Sequence, residues 1–434
     1  MRTIDLRGQA LDSKAVNRAI PRAVHNIDSA VATIAPILNA VESRGEEAII
    51  ELAQKFDGVD PRPIRVPSSE LEAALSGLSA ELRQSIELAI ERVRKVSRAN
   101  LPAGTTTVLG EGAVVEQRWV PVDSVGLYVP GGKAVYPSSV VMNVVPAQVA
   151  GVKRLVIATP GQKEFGGRPH PTVLAVAGLL GVSNILVAGG AAAIASLAFG
   201  LEQIGLEPVD LVTGPGNIYV AAAKRLLRGQ VGIDSEAGTT EILILADDSA
   251  NAKFVASDLI SQAEHDDAAA AVLVTDSEQL ISDVQEELKK LSSQTAHSDR
   301  VQKALGGQQS ALVLVDDLDA AINFANGYAA EHLELMTAEN QSVLGKIVHA
   351  GAIFVGDYSP VSLGDYMAGS NHVLPTGGSA RFNAGLSVAT FLRPQQVIEY
   401  SRSALEVLAA QIDTFARAEG LPAHGDAVTA RFSS

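Results

Sequence analysis

The chain has 434 residues and a formal net charge of −15, with 47% apolar but only 4% aromatic residues. A chain of this length exceeds a single hydrophobic core, so at least two domains are expected, and an aliphatic interior is typical of layered α/β packing. The negative charge argues against nucleic acid or an anionic membrane surface as a partner. The absence of cysteine excludes disulfides, thiolate metal ligands and a cysteine nucleophile.

The N-terminal sequence MRTIDLRGQA lacks the apolar core of a signal peptide. Asn143 and Pro146 interrupt the most apolar stretch before it reaches the length that spans a bilayer. We therefore expect a cytoplasmic protein whose partners are small molecules.

The spacing of apolar residues predicts helices in the first hundred residues and alternating strands and helices after residue 114. That alternation is typical of parallel strands joined by helical crossovers. The predicted helices of the first part cover residues 27–41, 45–56 and 68–99. The predicted strands form two sets, at 124–129, 154–158, 184–188 and 210–213, and at 241–246, 270–275, 311–315 and 352–355. After Arg381 a helical tail is expected, with its longest helix at 395–418.

Residues 248–267, DDSANAKFVASDLISQAEHD, predict a helix that presents Gln262 and His265 on one side of its last turn. Asp248 or Ser249 is the expected N-cap. Two side chains three residues apart at a helix end can bind one metal ion through nitrogen and oxygen. An isolated Gln/His pair in this position is more often an ordinary polar edge, so the segment alone leaves both interpretations open.

Three glycine-rich turns follow predicted strands, at residues 130–139, 189–194 and 214–217. Such turns let backbone N–H groups at a helix N-terminus approach a pyrophosphate, which makes them candidate dinucleotide contacts. Ordinary strand-to-helix turn chemistry explains each of them more simply. No G-x-G-x-x-G fingerprint follows a predicted strand, so a standard Rossmann dinucleotide site is not supported.

Several ionisable residues lie in unusual polar contexts. Glu331 and His332, in YAAEHLEL, place a carboxylate beside an imidazole, a pair that can divide base and acid work between two steps. Asp365 and His372 lie in LGDYMAGSNHVLP, which predicts a loop, and loops often carry functional sites. His424 by itself predicts an exposed residue of the tail. Other polar residues are expected on the solvated surface, namely Asp266, Asp267 and His297.

Taken together, these segments resemble the histidinol dehydrogenases, the zinc- and NAD-dependent enzymes of the last two steps of histidine synthesis. The resemblance extends from IDLRG at Ile4 to LPAHGDAV near the C-terminus. Its most specific segments are GLYVPGGKAVYPSSVVMNVVPA, TGPGNIYVAAAKR, DLISQAEHD, YAAEHLEL and SPVSLGDYMAGSNHVLPT.

The resemblance implies an α/β fold of two incomplete Rossmann-like domains, with small N- and C-terminal helical domains, in an intertwined dimer. The implied boundaries are an N-terminal arm at 1–27, a discontinuous first α/β domain at 28–127 and 241–385, a second, NAD-contacting α/β domain at 128–240, and a C-terminal helical tail at 386–434.

The resemblance also implies the site residues. One zinc ion per subunit would be held by Gln262, His265, Asp365 and His424, the last supplied by the other subunit of a homodimer. Glu331 and His332 would form the catalytic pair. Substrate would contact the zinc ligands and four further residues: Thr240, His332, His372 and Glu419, with Glu419 also supplied across the dimer. NAD would contact Tyr128, Asn217 and the position of Ala192.

Two positions depart from the family pattern. Ala192 stands where a glutamine that contacts NAD is typical, which puts cofactor affinity in question. Thr239 replaces a proline, which predicts a looser turn next to Thr240 and Glu241, both of which are kept.

The implied reaction is the four-electron oxidation of L-histidinol through L-histidinaldehyde to L-histidine. Zinc would orient the substrate, His332 would take the alcohol proton, and Glu331 would activate the water that hydrates the aldehyde. Two alternatives use the same residues. A zinc-dependent hydrolase would act without NAD, and a non-catalytic nucleotide-binding relative would catalyse no reaction.

Overall fold

The computed structural model of the chain describes residues 1–22, 27–131, 135–236 and 238–433. Part of the predicted glycine-rich turn at 130–139 therefore lies outside the described residues. The strands are β1 (Arg2–Asp5), β2 (Thr105–Gly110), β3 (Ala113–Pro121), β4 (Ser124–Tyr128), β5 (Arg154–Thr159), β6 (Ile185–Val187), β7 (Leu211–Thr213), β8 (Gly232–Ile233), β9 (Glu241–Ala246), β10 (Ala270–Thr275), β11 (Ala311–Leu314), β12 (His332–Met336), β13 (Ala352–Val355) and β14 (Leu392–Tyr400).

The α-helices are α1 (Ser13–Ala19), α2 (Ile27–Arg44), α3 (Glu46–Leu52), α4 (Ser68–Ser76), α5 (Ala80–Ala99), α6 (Pro137–Ala150), α7 (Pro171–Leu179), α8 (Gly190–Phe199), α9 (Ile218–Leu227), α10 (Ala252–Ala263), α11 (Glu278–Leu291), α12 (Ser298–Gly306), α13 (Leu318–Tyr328), α14 (Asn340–Leu344), α15 (Val361–Tyr366), α16 (Arg402–Ala418) and α17 (Pro422–Thr429). A π-helical turn at Ala53–Asp57 extends α3, and short 3₁₀ helices lie at Lys163–Phe165, Glu202–Ile204, Ser379–Arg381 and Val388–Phe391.

The six-stranded sheet is parallel, in the order β1-β11-β10-β9-β12-β13. Its central strands β9, β10 and β12 are buried along their whole length, as expected for parallel strands covered on both faces. Helices α10, α11 and α12 pack on one face, and α1 and α13 on the other. The second predicted set of strands is confirmed. Two strands of this sheet were not predicted: β1, within the expected N-terminal arm, and β12, which begins at His332.

The five-stranded sheet is also parallel, in the order β6-β5-β4-β7-β8, and it confirms the first predicted set of strands. Its two faces are covered by α4 to α7 and by α2, α3, α8 and α9. The packing of the early helices differs from the implied domain at 28–127 and 241–385. Ile34 and Leu38 of α2 belong to the same apolar core as Val156 of β5 and Leu197 of α8.

A three-stranded antiparallel sheet, in the order β14-β3-β2, joins the C-terminal segment to residues 105–121. The predicted helix at 395–418 is wrong in its first part, because β14 occupies residues 392–400. Helix α16 begins only at Arg402, where the Ser401 hydroxyl accepts a hydrogen bond from the Ala404 N–H at 3.2 Å. Gln395 and Arg118, which pair side by side, are 277 positions apart, so local periodicity could not reveal this strand.

Helix α10 and the residues just after it carry the predicted metal-binding pair, Gln262 and His265. Its N-cap is Asn251, whose side chain accepts from Lys253 N–H at 3.0 Å, and not Asp248 or Ser249 as expected. The helix ends at Ala263. Gln262 therefore lies in its last turn, with its side chain buried, and His265 lies just beyond the helix end.

Two carboxyl groups lie between α10 and β12. Glu334 is 1% exposed, and its Oε1 accepts from the Val361 N–H at the start of α15 at 2.9 Å. Burial raises the pKa of Glu334 well above its usual value, and burial raises the pKa of Asp258, on α10, to about 6. The folded protein therefore keeps protons that the unfolded chain releases above about pH 4.

These raised pKa values predict how stability depends on pH. The free energy of unfolding should fall as pH rises through the folded-state pKa values, because only the unfolded chain ionises freely. Glu334→Gln removes one of the two titrating groups. Between pH 5 and pH 8 the variant should therefore lose less stability than the wild type. Urea unfolding at both pH values measures the difference, with the exposed Glu339→Gln as control. Parallel pH dependences in all three proteins would contradict the prediction.

Candidate active site

A cavity of about 460 Å³ lies between the two parallel sheets. Thr240, Glu331 and His332 form what we call the amino-edge wall, because they precede or begin β9 and β12. Tyr128 and Asn217 belong to the carboxyl-edge wall, at the end of β4 and after β7. Ligands of open α/β sheets usually bind beyond the carboxyl ends of the strands, and only the second wall follows that rule. Further predicted residues that line the cavity are His265, Asp365 and His372.

Glu331 is buried and is held by two donors. Its Oε2 accepts from the Thr240 hydroxyl at 2.6 Å and from the Glu241 backbone N–H at 2.8 Å. Burial raises the pKa of Glu331 well above its usual value, and the two hydrogen bonds oppose that rise only in part. A carboxylate with a raised pKa is a stronger base than an ordinary glutamate, which suits the abstraction of a proton from water.

His332 is oriented by a backbone carbonyl. Its Nδ1 lies 3.1 Å from the carbonyl oxygen of Glu241, and because a carbonyl can only accept, Nδ1 carries the proton of the neutral ring. Burial lowers the pKa of His332, so the imidazole is neutral near pH 7. The unprotonated Nε2 is then the nitrogen that can accept a proton from a substrate.

Sequence reasoning missed the ion pair that supports this arrangement. Glu241, only 3% exposed, binds the guanidinium of Arg22, which also donates to the carbonyl of Tyr328 and lies 4.2 Å from the centre of the Tyr328 ring. The Glu241 backbone contacts both Glu331 and His332. Because Arg22 and Glu241 are 219 positions apart, no local pattern could connect them.

The end of α10 brings the predicted metal ligands close to one another. His265 Nε2 lies 4.0 Å from Asp365 Oδ2. Burial lowers the pKa of His265, which favours the neutral ring that a metal ion binds. Gln262 Nε2 donates to the Thr240 hydroxyl at 2.5 Å, whereas Gln262 Oε1 is buried without a hydrogen-bond partner among the described residues.

His372 lines the cavity, but both its ring nitrogens are engaged. Nδ1 lies 3.1 Å from the backbone carbonyl of Asp365, and Nε2 lies 3.2 Å from the hydroxyl of Ser139. The ring therefore joins the loop after α15 to the start of α6 and positions Asp365. It is less suited than His265 to bind a metal ion.

Comparison with known proteins is consistent across the whole chain. The family model described as histidinol dehydrogenase matches residues 20–432. The histidinol dehydrogenase of Leifsonia xyli is 58% identical over 432 residues, which cover 100% of this chain and 99% of that protein. The Mycolicibacterium smegmatis enzyme of that name is 55% identical over 435 residues, with 100% and 98% covered. The chain belongs to the histidinol dehydrogenase family.

A solved structure supports the same relation. The crystal structure of histidinol dehydrogenase from Elizabethkingia anophelis superposes with a TM-score of 0.92 at 33% identity, and the match covers 100% of this chain and 98% of that one. Histidinol dehydrogenases are NAD-dependent oxidoreductases of histidine biosynthesis, so the predicted family and enzyme class are confirmed. In the described part of the chain, no helix is long and apolar enough to cross a membrane, and the expected cytoplasmic location stays a prediction.

The chemistry of the donor set fits the zinc ion expected of a histidinol dehydrogenase. A buried amide oxygen without a partner is costly, and Gln262 Oε1 is such an atom beside a neutral imidazole. Gln262, His265 and Asp365 therefore offer one amide oxygen, one nitrogen and one carboxylate. Within the described residues, no three His, Cys, Asp or Glu side chains cluster closely enough to hold a metal ion, so zinc itself stays a proposal.

His424 and Glu419, which the histidinol dehydrogenase resemblance assigns to the site, do not line the cavity. They line a separate groove of about 330 Å³ along α16 and α17. This groove is largely apolar, and Phe415 within it is 70% exposed. The structure therefore does not bring either residue to the site of its own chain.

Of the three residues expected to contact NAD, two line the cavity and one lies in the protein interior. Tyr128 lines the cavity, and its hydroxyl accepts from the Gly190 N–H at 3.2 Å, while burial raises the pKa of the phenol to about 12. Asn217 also lines the cavity, and its side chain caps α9 by accepting from Tyr219 N–H at 3.0 Å. Ala192 is 7% exposed within α8 and does not line the cavity.

Proposed function

We propose that this cavity carries the NAD-dependent oxidation of L-histidinol to L-histidine, with L-histidinaldehyde as the intermediate. The observation that carries this assignment is the buried pair of Glu331 and His332, which shares one cavity with His265 and Asp365 and with the carboxyl-edge wall. Two hydrides must leave the carbinol carbon, and one water molecule must be added between the two transfers. One proton leaves the hydroxyl of the alcohol and one leaves a hydroxyl of the aldehyde hydrate. The two side chains divide the proton transfers.

His332 acts as the base in the oxidation of the alcohol. Its neutral ring, with the proton fixed on Nδ1 by the Glu241 carbonyl, presents Nε2 as the base that takes the hydroxyl proton while hydride leaves the carbinol carbon. The product of this step is the aldehyde. Its hydrate can lose a second hydride, again with loss of a hydroxyl proton.

Glu331 acts as the base in the addition of water. Addition of water to the aldehyde needs a base that takes a proton from the water, and burial, by raising the pKa of Glu331, makes its carboxylate a stronger base. No cysteine is present for covalent capture of the aldehyde, so hydration is the route that this chain offers.

Gln262, His265 and Asp365 are the residues of this chain that would hold zinc. Bound zinc would supply orientation, by binding the imidazole and amine of the substrate so that the carbinol carbon faces the nicotinamide. Tyr128 and Asn217 would contact NAD from the opposite wall. Ala192 supplies no polar side chain, so any contact in this part of α8 would come from its backbone.

We also propose that His424 and Glu419 complete the site of a second copy of the chain in a homodimer. Three own-chain donors leave a tetrahedral zinc ion one ligand short, and His424 is an imidazole donor displayed on an exposed, partly apolar helical surface. Burial of that surface against a second copy would be favourable.

Reduced nicotinamide tests the function directly. With L-histidinol, NAD and zinc, absorbance of the reduced cofactor should rise by about two equivalents for each equivalent of substrate, because the reaction removes four electrons. A chelator should abolish the rise, and added zinc should restore it. One equivalent only would indicate that oxidation stops at the aldehyde. Zinc-dependent turnover without reduced nicotinamide would support the hydrolase, and no turnover would support the non-catalytic relative.

A further inference from the structure

Thr240 lies at the centre of a short hydrogen-bond chain. Its hydroxyl oxygen is 2.6 Å from Oε2 of Glu331 and 2.5 Å from Nε2 of Gln262. The same Glu331 oxygen accepts from the Glu241 N–H at 2.8 Å. One hydroxyl therefore connects the side chain expected to activate water with a side chain expected to bind zinc.

The direction of each hydrogen bond follows from the groups themselves. Glu331 Oε2 already accepts a backbone N–H, so it acts as an acceptor and takes the single proton of the Thr240 hydroxyl. The Thr240 oxygen must then accept from Gln262, which only the amide NH₂ can satisfy. This order fixes Nε2 of Gln262 on Thr240 and leaves Oε1, the only part of the amide that can bind a metal, as the atom without a partner.

We propose that Thr240 is a positioning residue that sets the orientation of the Gln262 amide for the metal ion and fixes the Glu331 carboxylate in the same hydrogen-bond chain. The inference rests on the proposed zinc site and adds a role to it. Thr240 was expected from the family resemblance to contact substrate. Its only proton is committed to Glu331, so a polar contact with substrate must use the remaining lone pair of the hydroxyl.

The isosteric change Thr240→Val separates this role from space filling. Valine keeps the volume but removes both hydrogen bonds, which leaves Gln262 Nε2 without its acceptor and the amide free to rotate by half a turn. Residues that orient metal ligands change metal affinity by about 10–100-fold when they are removed. Thr240→Ser keeps the hydroxyl and should keep the affinity.

The test measures zinc affinity of the metal-free, full-length protein by competition with a chromophoric chelator, without substrate or NAD. Thr240→Val should bind zinc about 10–100-fold more weakly than the wild type, and Thr240→Ser within a few-fold of it. Thr275→Val is the control, because Thr275 is a buried threonine at the end of β10 whose hydroxyl accepts a backbone N–H and which does not line the cavity. Where the valine variant does not fold, Thr240→Ala removes the same hydroxyl without adding volume.

Three outcomes overturn the inference. Unchanged zinc affinity in a folded Thr240→Val or Thr240→Ala variant, with a wild type that binds zinc and reduces NAD, rejects the positioning role and leaves the proposed function intact. Equal weakening in Thr240→Ser, or in Thr275→Val, shows a general structural effect instead of the hydroxyl. A wild type that binds no zinc removes the proposed metal site and the positioning role together.

Discussion

Two inactive variants, His265→Ala and His424→Ala, are expected to regain about a quarter of the wild-type activity when they are unfolded and refolded together in equal amounts. Each homodimer lacks one proposed zinc ligand in both sites. In a mixed dimer both lesions fall in the same site, and the other site keeps a full ligand set. About half of the dimers are mixed after random pairing, and half of their sites are intact.

A double variant, His265→Ala with His424→Ala in one chain, provides the matched control. Refolded with wild type, it should give about a quarter of full activity if the site is shared, because mixed dimers then contain no intact site. It should give about half if each chain completes its own site, since the wild-type subunit of a mixed dimer stays active. Mass spectrometry establishes that mixed dimers have formed. Recovery near half here, with none between the single variants, rejects the shared site.

Glu331→Gln should separate the two oxidation steps. The amide keeps the shape of the side chain but cannot accept a proton from water, so oxidation of supplied L-histidinaldehyde should slow by about 10²–10⁴-fold. Conversion of L-histidinol to the aldehyde, which we propose depends on His332, should slow far less. Single-turnover formation of reduced nicotinamide from each substrate measures the two steps.

Glu334→Gln is the control for this comparison, because it removes a buried carboxyl of β12 that does not line the cavity. Both steps should stay within a few-fold of wild type in that variant. If Glu331→Gln slows both steps equally, Glu331 is not specific to the water step.

The sequence predicts most of the two parallel sheets, because buried parallel strands appear locally as short β-branched runs. It predicts strands less well where the paired strand is distant along the chain. β14 was predicted as helix because its partner β3 lies far away in the sequence, and pairing overrides local periodicity. β12 did carry a signal, since its residues alternate between Leu333 and Leu335 in the core and His332 and Glu334 on the other face.

Prediction of the site from the sequence is limited in the same way, by contacts between residues that are distant along the chain. Adjacent or helically spaced residues, such as Glu331 with His332 and Gln262 with His265, could be grouped from sequence spacing alone. The family resemblance added Asp365 and Thr240, which fall beside them in the fold. The hydrogen bonds that set protonation and orientation could not be predicted, because they join Thr240, Glu241 and Glu331 across about 90 positions of sequence.

The two walls of the cavity come from different sheets, and this division suits an enzyme that must use two cofactor molecules in one cycle. With NAD on the carboxyl-edge wall, as proposed, an aldehyde held on the amino-edge wall would not need to move when a reduced nicotinamide leaves and an oxidised one replaces it. A reactive intermediate would thus be kept from solution during the exchange. The spacing between the sheets would then set the hydride-transfer distance, so substitutions between the layers, remote from any reacting atom, should appear as altered deuterium isotope effects.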